Sequence, residues 1–302
     1  MSKGLKKSSN ESATLDRIKR IGVVAMFSDD ELLEELVLKG GNAMALVHKM
    51  SSRASVDLDF SMKHDFPDGE KGLLQRAKPA LERSFQEAGY RVFDLKVESQ
   101  PGIVSEAMAT FWGGYGIEFK LVSQAVFDKF KDDIENLRRN AVNLGKGTKF
   151  LIDISRFEYI DGKQAAEFDG YQIYVYTPLM IACEKLRAIC QQMVEYGPIV
   201  KRLRPGSSRA RDFFDLFVLI REFKLDLTSQ EALATLKEMF NSKHVPLDFL
   251  QLMPNQKPVH VTSVQSLKDT LEPGVEWKGF DFYFDYVVQL SLEVHTALDA
   301  KV

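Results

Sequence analysis

The sequence predicts an α+β chain: a mixed sheet with flanking helices over the first two-thirds, then a mostly α-helical C-terminal domain. Three observations carry this. Period-two alternation of apolar and polar residues recurs at 55–62, 90–97, 115–122, 149–157 and 172–176, the spacing of half-buried strands. Helical periodicity fills the intervals between them. Beyond a breaker-rich segment near residues 195–207 the chain reads as helix to its end, and strands giving way to helices point to an α+β layout. A length of 302 residues at roughly 150 per domain fits two domains. The boundaries read as a disordered lead-in at 1–10, an α+β domain at 11–195 and a mostly helical domain at 196–302.

In chain order, a helix is expected over 13–21. Ser28-Asp29-Asp30-Glu31 has the form of a capping box, opening a second helix with Leu32, Leu33, Leu36 and Val37 inward. Lys39-Gly40-Gly41 breaks it, and 42–50 resumes helical character. On the strand at 55–62, Val56, Leu58 and Phe60 share one face and Asp57, Asp59 and Ser61 the other. A helix at 72–88 contains Pro79, which can kink it. Gly113-Gly114 reads as the turn of a hairpin between 108–112 and 115–122. A helix at 125–142 turns Phe127, Phe130, Ile134 and Leu137 inward. Thr177 caps a helix with Pro178 in its first turn, striped by Leu179, Ala182, Leu186, Ile189 and Met193. A last recognisable helix runs from about Ser208 to Phe223, and a Pro-rich stretch covers 246–258.

Composition excludes several classes. Forty Lys+Arg against forty-three Asp+Glu leave a net charge of −3, so any surface for a polyanion must be local. Cys183 and Cys190, seven apart on one helical side, read as reduced, half-buried thiols. The five histidines, His48, His64, His244, His260 and His295, show no zinc-ligand spacing. No stretch has the length and apolarity of a membrane span, and residues 1–10 lack a signal's apolar core, so a cytoplasmic protein is expected.

The chemistry concentrates in Leu38-Lys39-Gly40-Gly41-Asn42-Ala43 followed by Arg53-Ala54-Ser55-Val56-Asp57-Leu58-Asp59-Phe60. Two carboxylates at i and i+2 on a strand point the same way and repel unless a cation lies between them. A magnesium ion held by one or two carboxylates plus phosphate oxygens suits that arrangement. A Gly-Gly break at a helix start exposes main-chain N–H groups to phosphate. Together they describe a place for a metal-bound triphosphate.

Gly-Gly, helix, Asp-x-Asp is the signature of the polymerase-β-like nucleotidyltransferase superfamily. The wording here resembles its AbiEii/AbiGii toxin branch, with Asn42 where that branch usually has Ser or Thr. The resemblance covers about residues 28–220. It implies a nucleotidyltransferase-like mixed sheet, Mg2+, and an NTP substrate whose β- and γ-phosphates meet Gly40, Gly41 and Asn42. Asp57 and Asp59 then hold the metal. A third carboxylate belongs on a later strand; Ile152-Asp153-Ile154 matches the branch better than Ile117-Glu118-Phe119, and both Asp153 and Glu118 stay open. Glu184-Lys185-Leu186 matches the branch's lysine helix, implying that Lys185 neutralises charge on the transferring group. Arg211-Asp212-Phe213-Phe214-Asp215-Leu216 matches its last motif, with Asp212 or Asp215 functional. The resemblance also implies an RNA acceptor, plausibly the 3′ end of tRNA, a cognate antitoxin, and a place in toxin–antitoxin or abortive-infection phage defence.

Lys201, Arg202, Arg204, Arg209 and Arg211 put five cations in eleven residues, a pattern suited to RNA phosphates. Tyr171, Tyr174 and Tyr176 read as strand packing rather than base-stacking residues. Two other functions compete: a non-catalytic NTP-binding sensor, and a small-molecule nucleotidyltransferase, whose compact acceptor has no need of five cations.

Overall fold

The computed structural model describes residues 2–50, 57–144, 147–204, 206–272 and 274–300, with side chains from residue 13 onward. The chain divides into two compact units. The first comprises Met1–Val47, Ser55–Phe157 and Gln164–Val175; the second His48–Ala54, Glu158–Lys163 and Tyr176–Val302. The division after Val175 places the helix beginning at Pro178 in the second unit, ahead of the expected boundary at 195.

The first unit is built on a seven-stranded mixed sheet. Its elements are α1 (Ser2–Phe27), α2 (Asp30–Glu35), β1 (Val37–Lys39), α3 (Gly40–Asn42) running into a π-turn at Ala43–Val47, β2 (Leu58–Ser61), α4 (Gly69–Glu87), β3 (Tyr90–Gln100), β4 (Gly114–Ser123), α5 (Gln124–Phe130), α6 (Ile134–Arg139), β5 (Lys149–Ser155), β6 (Gln164–Phe168) and β7 (Tyr171–Val175). The strand order is β3-β4-β5-β2-β1-β7-β6. β2 runs parallel to β5 and β1 parallel to β7; the other pairs are antiparallel.

Alternation places Leu58, Phe60, Ile152 and Ile154 in the core. Full burial of each such side chain contributes roughly 1.5–3 kcal/mol. Helix α1 covers this face so closely that a β-carbon on Gly22 would stand 2.9 Å from Leu58 Cδ1. Phe27 packs edge-on to Phe60, and Phe119 bridges Phe85 and Phe150.

Several local expectations are corrected. The expected lead-in at 1–10 is helical backbone from Ser2, since extending a nucleated helix costs far less than starting one. Asp29, not Ser28, caps α2: its carboxylate accepts from the N–H groups of Glu31 and Leu32, while Ser28 Oγ donates back to the Ala25 carbonyl. Leu36 and Val37 leave the helix, and Val37 begins the short β1. The expected strand at 55–62 is seen from Leu58, and Arg53–Val56 lie outside the described residues. Gly113-Gly114 is no hairpin turn. Gly114 already pairs with Ser155, and residues 106–108 form a 3-10 turn. The tight hairpin instead joins β6 to β7 through Asp169-Gly170, with φ of 50° and 81°, the left-handed pair a two-residue turn needs. The helix expected at 125–142 splits because Asp133 caps a new start, its carboxylate accepting from Asn136 N–H; Ile134 consequently faces solvent. Pro79 sits within α4 without ending it.

The second unit is helical: α7 (Pro178–Cys190), α8 (Ala210–Phe223), α9 (Gln230–Asn241), a 3-10 segment at 247–256, α10 (Lys257–His260), α11 (Val264–Lys268) and α12 (Phe280–Asp299). Thr177 Oγ1 accepts from Met180 N–H, capping α7 as expected. α7 packs on α8 and α9, and α12 on α8. Phe213 lies among Phe280, Phe284 and the His260 ring. Cys183 and Cys190 are free thiols, fully rather than half buried; burial pushes the Cys183 thiol up to about 12, so neither is a nucleophile near neutral pH.

Candidate active site

Pairing in the sheet brings together residues that lie far apart in sequence. Lys39 stands opposite Asp59 across β1–β2, Asp59 opposite Asp153 across β2–β5, and Asp153 opposite Gly116 across β5–β4. Directly paired residues share a face, so one row carries Lys39, Asp59 and Asp153 on the face opposite the Leu58–Phe60 core. Asp57 precedes β2 and is exposed; Asp59 and Asp153 are half-buried. Burial and the Asp57 charge push the Asp153 carboxyl up, with Lys39 pulling the other way. Glu118, the alternative third carboxylate, lies two positions further along and is paired to Lys149 at 2.9 Å.

The Gly-Gly turn closes on this row. Gly40 has φ +69°, and a β-carbon there would stand 2.7 Å from Asp59 Oδ2. Asn42 is buried, and its amide nitrogen donates to the Asp57 main-chain carbonyl. That changes the expectation for Asn42: its side chain is built into the support of Asp57 instead of reaching outward to a phosphate. Lys39 and Ser155 are residues of this site that the motif reading missed. Lys39 is 7% exposed and its ammonium donates to Ser155 Oγ at 3.0 Å. The available signal was a lone charge closing the apolar run Leu36-Val37-Leu38.

A divalent cation fits this donor set. Asp153 Oδ1 is buried and accepts no hydrogen bond from any described residue, an orphaned carboxylate oxygen of the kind a cation satisfies. Among the described residues no three His, Cys, Asp or Glu side chains form a ready-made metal cage. Mg2+ does not require one, because phosphate oxygens and waters complete its octahedron.

The second unit holds the other predicted group. Lys185 is buried, and its ammonium meets Asp212 Oδ1 at 2.9 Å and Asp215 Oδ2 at 2.7 Å. Both aspartates of the Arg-Asp motif therefore engage the lysine. Arg209 adds a contact to Asp212 Oδ2 at 2.8 Å. Burial alone would raise the Asp212 carboxyl, but Lys185 and Arg209 overcome it and hold the group well below the usual range. A neighbouring buried cluster joins Arg187 to Glu158 at 2.7 Å and Glu158 to Lys243 at 3.5 Å, and ties α7 to the end of α9.

The basic segment is not uniform. Lys201 and Arg204 are exposed. The Arg202 guanidinium donates to the carbonyls of Gln191, Met193 and Arg204, pinning the loop. Arg211 donates to Ser266 Oγ. Arg202, Arg209 and Arg211 thus have internal partners, and the cations projecting outward are Lys201 and Arg204. Tyr176 is fully buried with its hydroxyl donating to the Tyr159 carbonyl, whereas Tyr171 is 41% exposed.

A mixed sheet presenting Asp-x-Asp and a further carboxylate beside a Gly-Gly turn defines the nucleotidyltransferase class. A family model described as the nucleotidyl transferase AbiEii toxin of a type IV toxin–antitoxin system matches residues 23–285, and the chain belongs to that family. It is accordingly an enzyme that uses a nucleoside triphosphate. Among solved structures, JHP933 from Helicobacter pylori is similar with TM-score 0.49 and 17% identity, over 96% of this chain and 94% of that one. An antigenic nucleotidyltransferase-like protein from Paracoccidioides brasiliensis is similar with TM-score 0.31 and 14% identity, over 80% and 92%. No curated protein matches. No described helix is long and apolar enough to cross a membrane.

Proposed function

We propose that the chain is a Mg2+-dependent toxin that transfers a nucleotide from an NTP to RNA, with the 3′ end of tRNA as acceptor, in a toxin–antitoxin system acting in phage defence. The single observation that best supports the metal site is the pairing of Asp59 with Asp153, whose buried Oδ1 accepts no hydrogen bond from any described residue. Asp57, Asp59 and Asp153 would hold the cation, which when bound neutralises triphosphate charge. The Gly40–Gly41 main chain would carry the β- and γ-phosphates, beside Asp59, with no room for a β-carbon at Gly40. The acceptor hydroxyl oxygen attacks the α-phosphorus as its proton passes to the Asp153 carboxylate, which would act as base beside the cation; the O–Pα bond forms as the bond to the β-phosphate oxygen breaks, and pyrophosphate leaves. Catalysis is mainly positioning and electrostatics. The family motif assigns Lys185 to charge on the transferring group, and its pairing with Asp212 and Asp215 favours an ionised, fixed ammonium. Lys201 and Arg204 would meet RNA phosphates.

The test is incubation of the protein with each α-labelled NTP and total RNA, with and without Mg2+, for wild type and for Asp59→Asn and Asp153→Asn. Label should enter small RNAs only with Mg2+ and wild-type protein. Each neutralising change should abolish transfer while the protein still folds and unfolds cooperatively. Nucleotide bound without pyrophosphate release would instead make the chain a sensor. Label found only on small molecules would refute the RNA acceptor.

A further inference from the structure

We propose that Lys39 is a positioning residue that serves as the free enzyme's own counter-cation, so that the divalent ion is taken up together with the triphosphate rather than alone. The inference rests on the metal reading of Asp57, Asp59 and Asp153. It starts from the sheet. Lys39 is on β1, in register with Asp59, and Ser155 is on β5, two strands away and one pleat beyond Asp153. For its ammonium to reach Ser155 Oγ at 3.0 Å, the Lys39 side chain must cross β2 along the face that carries the carboxylates. It does so buried, at 7% exposure. A buried ammonium is costly unless opposite charge accompanies it, and the carboxylates of this row supply that charge.

The consequence is a competition. Asp59 and Asp153 on one face, with the Asp57 charge acting on Asp153, attract a divalent ion, and a unit positive charge fixed beside them weakens that attraction. In a partly desolvated site charges several ångströms apart still interact by more than thermal energy. A triphosphate brings its own negative charge and its own oxygen ligands, and restores the balance in favour of the metal. Lys39 thereby links metal uptake to substrate uptake. The Gly40 turn follows it directly, so the same three residues place the counter-cation and the phosphate-facing main chain.

The experiment measures Mn2+ binding to the full-length protein by calorimetry, alone and with α,β-methylene ATP, in wild type, Lys39→Met, Lys39→Gln and Lys39→Arg. Wild type should bind Mn2+ weakly alone and much more tightly with the analogue. Removing the charge should tighten binding of Mn2+ alone by about tenfold or more, and Lys39→Arg should restore the wild-type value. A lysine that merely fills space would change stability but not metal affinity. If Lys39→Met does not fold, Lys39→Gln carries the test, since its amide is uncharged but polar. Asp59→Asn separates this inference from the reading beneath it. If Asp59→Asn leaves Mn2+ binding with the analogue unchanged, the metal site itself is wrong. If Asp59→Asn abolishes that binding while both neutral Lys39 variants stay within twofold of wild type, the metal site stands and the counter-cation is refuted. Lys39→Arg binding Mn2+ alone as tightly as Lys39→Met would also refute it.

Discussion

Gly40→Ala isolates the link between the Gly-Gly turn and the acidic row. Gly40 has φ +69°, where an L-residue other than glycine costs roughly 1–2 kcal/mol. The added methyl would also stand 2.7 Å from Asp59 Oδ2 and 3.3 Å from Asp59 Cβ and Cγ. Ordinary contact begins near 3.4 Å, so the carboxylate must retreat by about 0.7 Å. Displacements of that size in a positioning-dependent site cost about 10²-fold in rate. We therefore expect a modest stability loss of about 1–2 kcal/mol and a far larger loss of transfer. Gly89→Ala is the control: φ is +86° there, but nothing lies within 4 Å of the added methyl. It should show the backbone cost alone. The assays are urea unfolding and NTP-label transfer at saturating nucleotide. Gly40→Ala retaining transfer within twofold, or losing it only in proportion to its unfolded fraction, would refute the reasoning.

Other expectations follow from the second unit. Lys185→Met leaves Asp212 and Asp215 buried without their ammonium and should destabilise by about 3–5 kcal/mol in urea unfolding; a loss under about 1 kcal/mol would contradict the buried pairing. Because the Asp212 carboxyl titrates well below its unfolded value, its stabilisation is fully present above roughly pH 4 and is lost progressively as pH falls from there toward the lowered native value. Asp212→Asn should be less stable than wild type at pH 7 and show a flatter decline below about pH 4. For the basic segment, Lys201→Ala with Arg204→Ala should weaken RNA binding and lower its salt slope by roughly 0.7–0.9 per lost phosphate contact. Arg202→Ala should instead loosen the loop, read as faster proteolysis there, because its guanidinium holds three carbonyls. An unchanged salt slope in the double variant would move the acceptor surface elsewhere.

What could be read in the sequence followed from periodicity and local caps. Alternation at Leu58-Asp59-Phe60 and at Ile152-Asp153-Ile154 placed both acidic residues on the face away from the core, and the structure pairs the two strands in register. Thr177 with Pro178 located the start of α7. Elements shorter than a helical turn left no periodic trace, so β1, three residues long, was absorbed into the helix before it. Asp169-Gly170 carried the stronger turn chemistry, yet the repeated glycine at 113–114 drew the hairpin assignment. The larger gap concerns charge. Lys39 and Lys185 each interrupt an apolar pattern, and a local reading sends such a lysine to solvent. Their partners lie elsewhere in the chain: Ser155 for one, Asp212 and Asp215 for the other, 116, 27 and 30 residues away. Since an unpaired buried ammonium is so costly, a lysine at an apolar position is itself evidence that distant polar or acidic partners fold onto it. Of the groups involved, Asp212 and Asp215 belong to a legible acidic motif, as do Asp59 and Asp153 on the row that Lys39 crosses, and Ser155 does not. The lysines and the acidic motifs were separate clues to the same two clusters, and only strand register and helix packing bring them together.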